Sequence, residues 1–319
     1  MRWTLMGLIL CLTAVMGIAQ EEPKGGIAGR DAPQRHYLMT YFTGNGEDGL
    51  HLCHSTDGLT WKPVNGGKSL LAPTVGTHKL MRDPSIVRAP DGTFHMVWTI
   101  SWTQRGIGYA SSKDLIHWSP QKPILVMEDD PATRNCWAPE LFYDEPGETY
   151  YIFWSSTVPG RFGEGTSEDD YNHRQYYITT KDFETFSKTK LFFDPGHNVI
   201  DGFMAKEGDD YLLFYKDETL RPEKKTIHLA IGKTPVGPFE PQGGIGHTNW
   251  IEGPSALRIG DWWYVYYDCY RLNHYGGVRS KDLKTWENIT DRISFPEGAR
   301  HGTTFEVDAE IVEGLGVRE

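Results

Sequence analysis

Five short segments each place an ionisable side chain at the opening of an apolar run: Asp83 in RDPSIV, Glu140 in WAPELF, Asp201 in IDGFM, Glu252 in EGPSAL and His301 in RHGTTF. Taken singly, each has an ordinary explanation. An Asp-Pro or Glu-Gly-Pro step is usually a turn, and a charge at a strand start is usually solvated. Recurrence at what look like equivalent positions changes the reading. Carboxyl groups gathered in one place repel one another and must be desolvated or paired, which displaces their proton affinities and marks functional clusters. Two carboxyl groups flanking one bond can run glycoside hydrolysis. One donates a proton to the leaving oxygen, the other activates water, and a third can raise the acid by like-charge repulsion. Trp137, beside Glu140, offers a platform for a sugar face or else packs in the core; Trp98 and Trp102 are further candidates of the same kind. Arg82 and Arg300 flank Asp83 and His301 and could neutralise the cluster.

The elements that must position these residues are strands. Tyr37 to Phe42, Phe94 to Trp98, Tyr150 to Trp154, Tyr211 to Tyr215 and Trp263 to Tyr267 are short aromatic runs, several bounded by Gly/Asp turns. That is strand chemistry. A polar turn leading to an aromatic recurs as STDGLTW, SSKDLIHW, TTKDFETF, KTPVGPF and SKDLKTW. Strand groups repeated five times predict an all-β fold, a five-bladed β-propeller over residues 36–319. A β-sandwich is the alternative, but it leaves the repeated turn unexplained. The first unit lacks its first strand, and the segment from His301 to Val307 supplies one at the far end. The first blade is therefore expected to be closed by N- and C-terminal strands, which protects the sheet edges. In a propeller the first strands ring the axis, so their openings converge on one funnel.

The bulk properties agree. The chain of 319 residues is 13% aromatic, with 11 Trp and 16 Tyr, and carries a net charge of −11. Nucleic acid and anionic membrane surfaces are thereby disfavoured as partners, and a neutral ligand that stacks on rings is favoured. Residues 1–19 read as a signal peptide: Met1-Arg2, an apolar run from Leu5 to Ile18, and a small-x-small site ending at Ala19. The protein is expected to be secreted or periplasmic, with a flexible lead-in over 20–35. Cleavage leaves Cys53, Cys136 and Cys269, read as mostly buried thiols with at most one disulfide. His78, His197 and His247 precede the acidic motifs and read as loop or rim residues, and the acidic loop around Glu164–Asp170 as a lid or a solvated insertion.

RDPSIV, WAPELF, VIDGFM, IEGPSAL and ARHGTTF, in this order and spacing, resemble glycoside hydrolase family 43. The likeness spans roughly residues 36–312. It implies a five-bladed propeller and an inverting glycosidase; α-L-arabinofuranosidases, β-xylosidases, arabinanases and galactanases occur in that family. By motif, Asp83 matches the general base, Glu252 the general acid and Asp201 the carboxylate that tunes the acid. Glu140 matches a position beside the pocket. His301 matches a histidine near the central channel, where a structural Ca2+ or Na+ could be held through water; no cofactor is required. Asp83 departs from many relatives in lying well inside the chain, with most of a blade before it.

The expected function is a secreted inverting glycoside hydrolase acting on plant-type polysaccharide side chains or oligosaccharides, α-L-arabinofuranosidase first and β-xylosidase second. Catalysis is expected from Asp83, Asp201 and Glu252, with Trp137, Glu140, Arg82, Trp98 and His301 around the substrate. A non-catalytic carbohydrate-binding propeller is the reading from another class. A retaining fructan hydrolase or a glycoside phosphorylase is the neighbouring enzyme reading.

Overall fold

The computed structural model describes residues 34–163 and 170–317. The expected signal segment, most of the lead-in and residues 164–169 of the acidic loop lie outside that range. The described strands form five four-stranded sheets. Blade 1 runs from the axis outward as Thr304–Val307, His36–Tyr41, His51–Ser55 and Lys62–Pro63. Blade 2 is Arg82–Arg88, Phe94–Thr99, Ile107–Ser112 and Lys122–Ile124. Blade 3 is Trp137–Asp144, Thr149–Thr157, His173–Thr180 and Lys190–Phe193. Blade 4 is Val199–Glu207, Asp210–Asp217, Thr226–Gly232 and Phe239–Gly244. Blade 5 is Glu252–Ile259, Trp262–Cys269, His274–Ser280 and Glu287–Asn288. The fold is the expected five-bladed propeller. Its closure is also as expected: Thr304 pairs with Met39 and Val307 with His36. A short helix, Ala309–Gly314, follows and seats Val312 among the core residues between blades 1 and 2.

The second strands are buried almost end to end, as in Tyr211–Asp217 and Trp263–Cys269. Each has a strand on both edges and a neighbouring blade on each face. A continuous aromatic run therefore suits it better than strict polar alternation. The recurring turn has a common physical basis in four blades. The hydroxyls of Ser55, Ser112, Thr180 and Ser280 accept the backbone N–H three residues on. Asp57, Asp114, Asp182 and Asp282 each accept two backbone N–H groups. The turn's pivot is left-handed at Gly58, Leu115, Phe183 and Leu283. The aromatic that follows ties blades together: Trp61 meets Tyr266 of blade 5 edge-on at 5.6 Å, and Trp286 meets Phe214 of blade 4 at 6.3 Å. KTPVGPF is the exception. There Thr234 donates to the carbonyl of Gly237 instead. Cys53, Cys136 and Cys269 are free and buried.

Candidate active site

The first strands share a β-bulge at the end nearest the cleft. Arg82 faces Thr99 but Ser85 faces Val97; Trp137 faces Ser155 but Glu140 faces Phe153. Likewise Ile200 faces Lys216 but Phe203 faces Phe214, and Glu252 faces Asp268 but Ser255 faces Tyr266. One extra residue on the inner strand bends it and re-aims its side chains. The second bulge position is left-handed in each: φ is 52° at Asp83, 46° at Ala138, 54° at Asp201 and 60° at Gly253. For a residue with a Cβ that backbone costs about 1–2 kcal/mol, a strain typical of functional sites. In blade 1 the same slip separates the Phe42–Arg300 bridge from the Met39–Thr304 pair.

Aligning the bulges sorts the inner strands into tiers. The outermost holds Arg300, Arg82, Trp137, Ile200 and Glu252. The next holds His301, Asp83, Ala138, Asp201 and Gly253. The third holds Thr303, Ser85, Glu140, Phe203 and Ser255. The expectation of five equivalent ionisable positions is thus corrected. Asp83, Asp201 and His301 share one tier, Glu252 stands one residue above it, and Glu140 lies in the tier below.

The two upper tiers, apart from Arg300 and Gly253, line a cleft of about 180 Å3 that Thr99, Trp102, Lys216 and Glu218 complete. A surface groove of about 930 Å3 between the outer strands of blades 2 and 3 is larger, but it holds none of the converging carboxyls. The smaller cleft is the one that gathers them.

His301 is the electrostatic centre. Its Nδ1 lies 3.3 Å from Asp83 Oδ1 and 4.0 Å from Asp201 Oδ2. Burial opposes its charge, but the hydrogen bond to Asp83 and the two aspartates more than offset this, so the imidazolium persists up to about pH 9. Burial also pushes Asp83 up, yet the His301 hydrogen bond and charge, with Arg82 and Thr99, hold its pKa at about 2. Thr99 donates to Asp83 Oδ2 at 2.8 Å and accepts the Ala138 N–H at 2.9 Å. Asp201 behaves oppositely. Burial, with the Glu252 and Asp83 charges, raises it to about 6 against the pull of His301 and Lys216. Its Oδ2 accepts the Gly253 N–H at 3.0 Å. Glu252 has a cation on each oxygen, Arg300 Nη2 on Oε1 and Lys216 Nζ on Oε2, both at 3.0 Å. One carboxylate held ionised, one acid raised and one clamped between cations make three environments within a single cleft.

On the aromatic side, Trp137 Nε1 donates to the Trp102 carbonyl at 3.0 Å, and the two indoles meet edge-on at 5.6 Å. Arg82 lies 4.6 Å above both the Phe42 and the Trp102 rings, which fixes its guanidinium at the rim. Asp83, Asp201, Glu252, Arg82, Trp137 and His301 are therefore brought together as expected. Two expectations are corrected. Trp98 is fully buried in the core, with its indole against Gly108, where even a Cβ would meet Trp98 Cε2 at 2.2 Å. Glu140 is 4% exposed, lies beneath the cleft and accepts a hydrogen bond from Thr303 at 3.3 Å. Burial raises it to about 8, partly offset by Ser85, His301 and Thr303. Lys216 and Glu218 were missed. Their signal was present: a charged pair ends the aromatic run YLLFY at the level where the carboxyls gather.

The expected Ca2+ or Na+ would be held near His301 through water, since Nδ1 of the ring already lies 3.3 Å from Asp83 Oδ1 and, among the described residues, no group of three or more His, Cys, Asp or Glu is arranged to hold a metal directly.

Comparison with known proteins follows the same line. Residues 32–313 match the model of a family related to glycosyl hydrolase 43, described as a probable glycosyl hydrolase domain. An α-L-arabinofuranosidase of Bifidobacterium longum is 25% identical over 217 residues, which is 59% of this chain and 20% of the relative. The chain thus spans about a fifth of that curated relative. The α-L-arabinofuranosidase of Lactobacillus brevis superposes with a TM-score of 0.52 at 17% identity, over 65% of this chain and 72% of that one. The catalytic domain of a family 62 α-L-arabinofuranosidase from Coprinopsis cinerea gives 0.52 at 15%, over 71% and 77%. An exo-β-1,3-galactanase from Clostridium thermocellum gives 0.51 at 15%, over 70% and 51%. These likenesses show the propeller fold. With five blades, one acidic cleft and a family match over residues 32–313, the chain belongs to the family 43-related glycosyl hydrolases.

Proposed function

We propose that the cleft is the active site of an inverting glycoside hydrolase that removes one terminal sugar unit. The observation that supports it most is the convergence of Asp83, Asp201 and Glu252 from three blades on one cleft with Asp83 held ionised. In this reading the Asp83 carboxylate takes a proton from water as the water oxygen attacks the anomeric carbon. Glu252 gives its proton to the glycosidic oxygen as the C–O bond breaks, and the sugar leaves with inverted configuration. Asp201, raised and hydrogen-bonded to the backbone of Gly253, tunes and orients the acid. Trp137 and Arg82 flank the sugar. A cleft of about 180 Å3 is small beside the several hundred Å3 of pockets for larger ligands, which favours an exo-acting enzyme.

The substrate class we favour is a non-reducing α-L-arabinofuranosyl unit on a plant-type oligosaccharide, with β-xylosides second; the curated relative bears the former name. The signal-like segment supports action outside the cytoplasm. A phosphorylase is less well supported. Lys216 lies between Glu218 and Glu252, so its charge is already met by carboxylates. Hydrolysis of arabinofuranosyl, xylosyl and galactosyl oligosaccharides by wild-type protein and by D83N tests the proposal. Release of one sugar, reduced about 10²–10⁴-fold in D83N, is the expected result. Binding without release from any substrate points instead to a carbohydrate-binding propeller.

A further inference from the structure

Six alternating charges run side by side: Lys225, Glu218, Lys216, Glu252, Arg300 and Asp268, of which Glu218, Lys216 and Glu252 line the cleft. Lys225 Nζ bonds Glu218 Oε1, and Lys216 Nζ lies 2.7 Å from Glu218 Oε2 and 3.0 Å from Glu252 Oε2. Arg300 holds Glu252 Oε1 at 3.0 Å with Nη2 and bonds Asp268 with Nε. Lys216 is 2% exposed and lies over the Tyr270 ring at 4.7 Å. A buried ammonium left without an anion is strongly destabilising, so each cation in such a row needs a partner.

Glu252 is the one interior anion whose neutralisation leaves every cation paired. Lys216 and Lys225 keep Glu218, and Arg300 keeps Asp268. A proton arriving on Oε2 would face an ammonium that only donates, so that contact must open. Glu218, nearer to Lys216 than Glu252 is, stands ready to take the ammonium. Resting on the reading of Glu252 as the acid, we propose that Lys216 is its positioning residue: it holds the Glu252 carboxyl across the cleft in the resting enzyme and passes wholly to Glu218 when Glu252 is protonated.

The other groups that face Glu252 are Asp201 from blade 4, Asp268, Tyr270 and Tyr275 from blade 5, and Arg300 and His301 from blade 1. Lys216 is the cation that sits between Glu218 and Glu252, both in the cleft lining.

The test is a pair of variants that move one observable in opposite directions. K216M removes a cation from Glu252, and the alkaline limb of kcat/KM should rise by about one pH unit or more. E218Q leaves Lys216 with Glu252 as its only carboxylate, and the same limb should fall. K216R should stay near wild type. On a glycoside with a poor alkyl leaving group, K216M should lose roughly tenfold or more in kcat. On a dinitrophenyl glycoside, which needs no proton, the loss should be much smaller. Should K216M not fold, K216Q carries the same expectations. Limbs that stay fixed, or that move together, in folded variants overturn the proposal. If the wild type cleaves no glycoside, that result bears on the proposed function. In that case 13C-carboxyl NMR titration of Glu252 in K216M and E218Q still reads the opposed shifts.

Discussion

Gly253 makes room for His301: a Cβ at residue 253 would lie 2.3 Å from Cγ of the imidazole. The same residue has a φ of 60° and donates its N–H to Asp201. One glycine thus meets three demands, a left-handed bulge, space for the histidine and a backbone donor for the aspartate.

Gly253→Ala should therefore damage the site from within. The contact falls on the ring base of His301, which cannot swing aside as a flexible chain end would. We expect a stability loss of about 1–3 kcal/mol and a fall in kcat larger than any rise in KM. Denaturant unfolding and steady-state kinetics check both. A variant with wild-type stability and turnover contradicts the packing described.

Replacing His301 should be read in the acid limb. With His301 in place, Asp83 stays ionised down to about pH 2. In His301→Ala burial dominates, and the acid limb of kcat/KM should move up by about one pH unit or more. The stability signs follow from the same pair. The Asp83 contribution is present above its ordinary value near 3.8 and is lost as pH falls through about 2. The His301 contribution is present below its ordinary value near 6.5 and is lost as pH rises through about 9. Titration of thermal stability in wild type and variant shows whether both losses depend on the pair.

Glu140 gives the opposite sign for a carboxyl. Burial raises it to about 8 from an ordinary 4.5, so the folded state keeps a proton that the unfolded chain releases. Wild-type stability should decline as pH rises from about 4.5 to 8, by on the order of 1 kcal/mol per pH unit from this group. Glu140→Gln should flatten that decline. An unchanged slope would show that Glu140 is ionised in the fold.

The two tryptophans should separate cleanly. Trp98→Ala empties a fully buried site and should cost about 3–5 kcal/mol of stability. Trp137→Ala should raise KM about tenfold, ~1.4 kcal/mol of lost contact, with the fold retained. Unfolding curves and KM values for the pair decide it.

The architecture was legible in the sequence because its signals are chemical and repeated. The Ser/Thr-x-Asp turns, the aromatic second strands and the orphan strand at His301–Val307 each bear a composition that only one role satisfies. The bulge was not read from the sequence: Asp83, Ala138, Asp201 and Gly253 share a backbone angle but no single residue type, and only the aligned Pro84, Pro139 and Pro254 of RDPS, WAPE and EGPS mark the one-residue offset of Glu252 and the sunken place of Glu140. Trp98 and Trp102 look alike in composition. They differ because one packs on Gly108 inside the core and the other lies past the strand end beneath Arg82. Lys216 directly follows the run YLLFY, whose members are all core, and only its charge sets it apart.

The most direct measurement is 1H NMR of the first anomer released from an arabinofuranosyl or xylosyl oligosaccharide, followed in wild type, Asp83→Asn and Glu252→Gln. The account predicts inverted configuration at the first time points and a rate lower by about 10²-fold or more in each variant. Release with retained configuration, or variants that turn over like wild type, would contradict it.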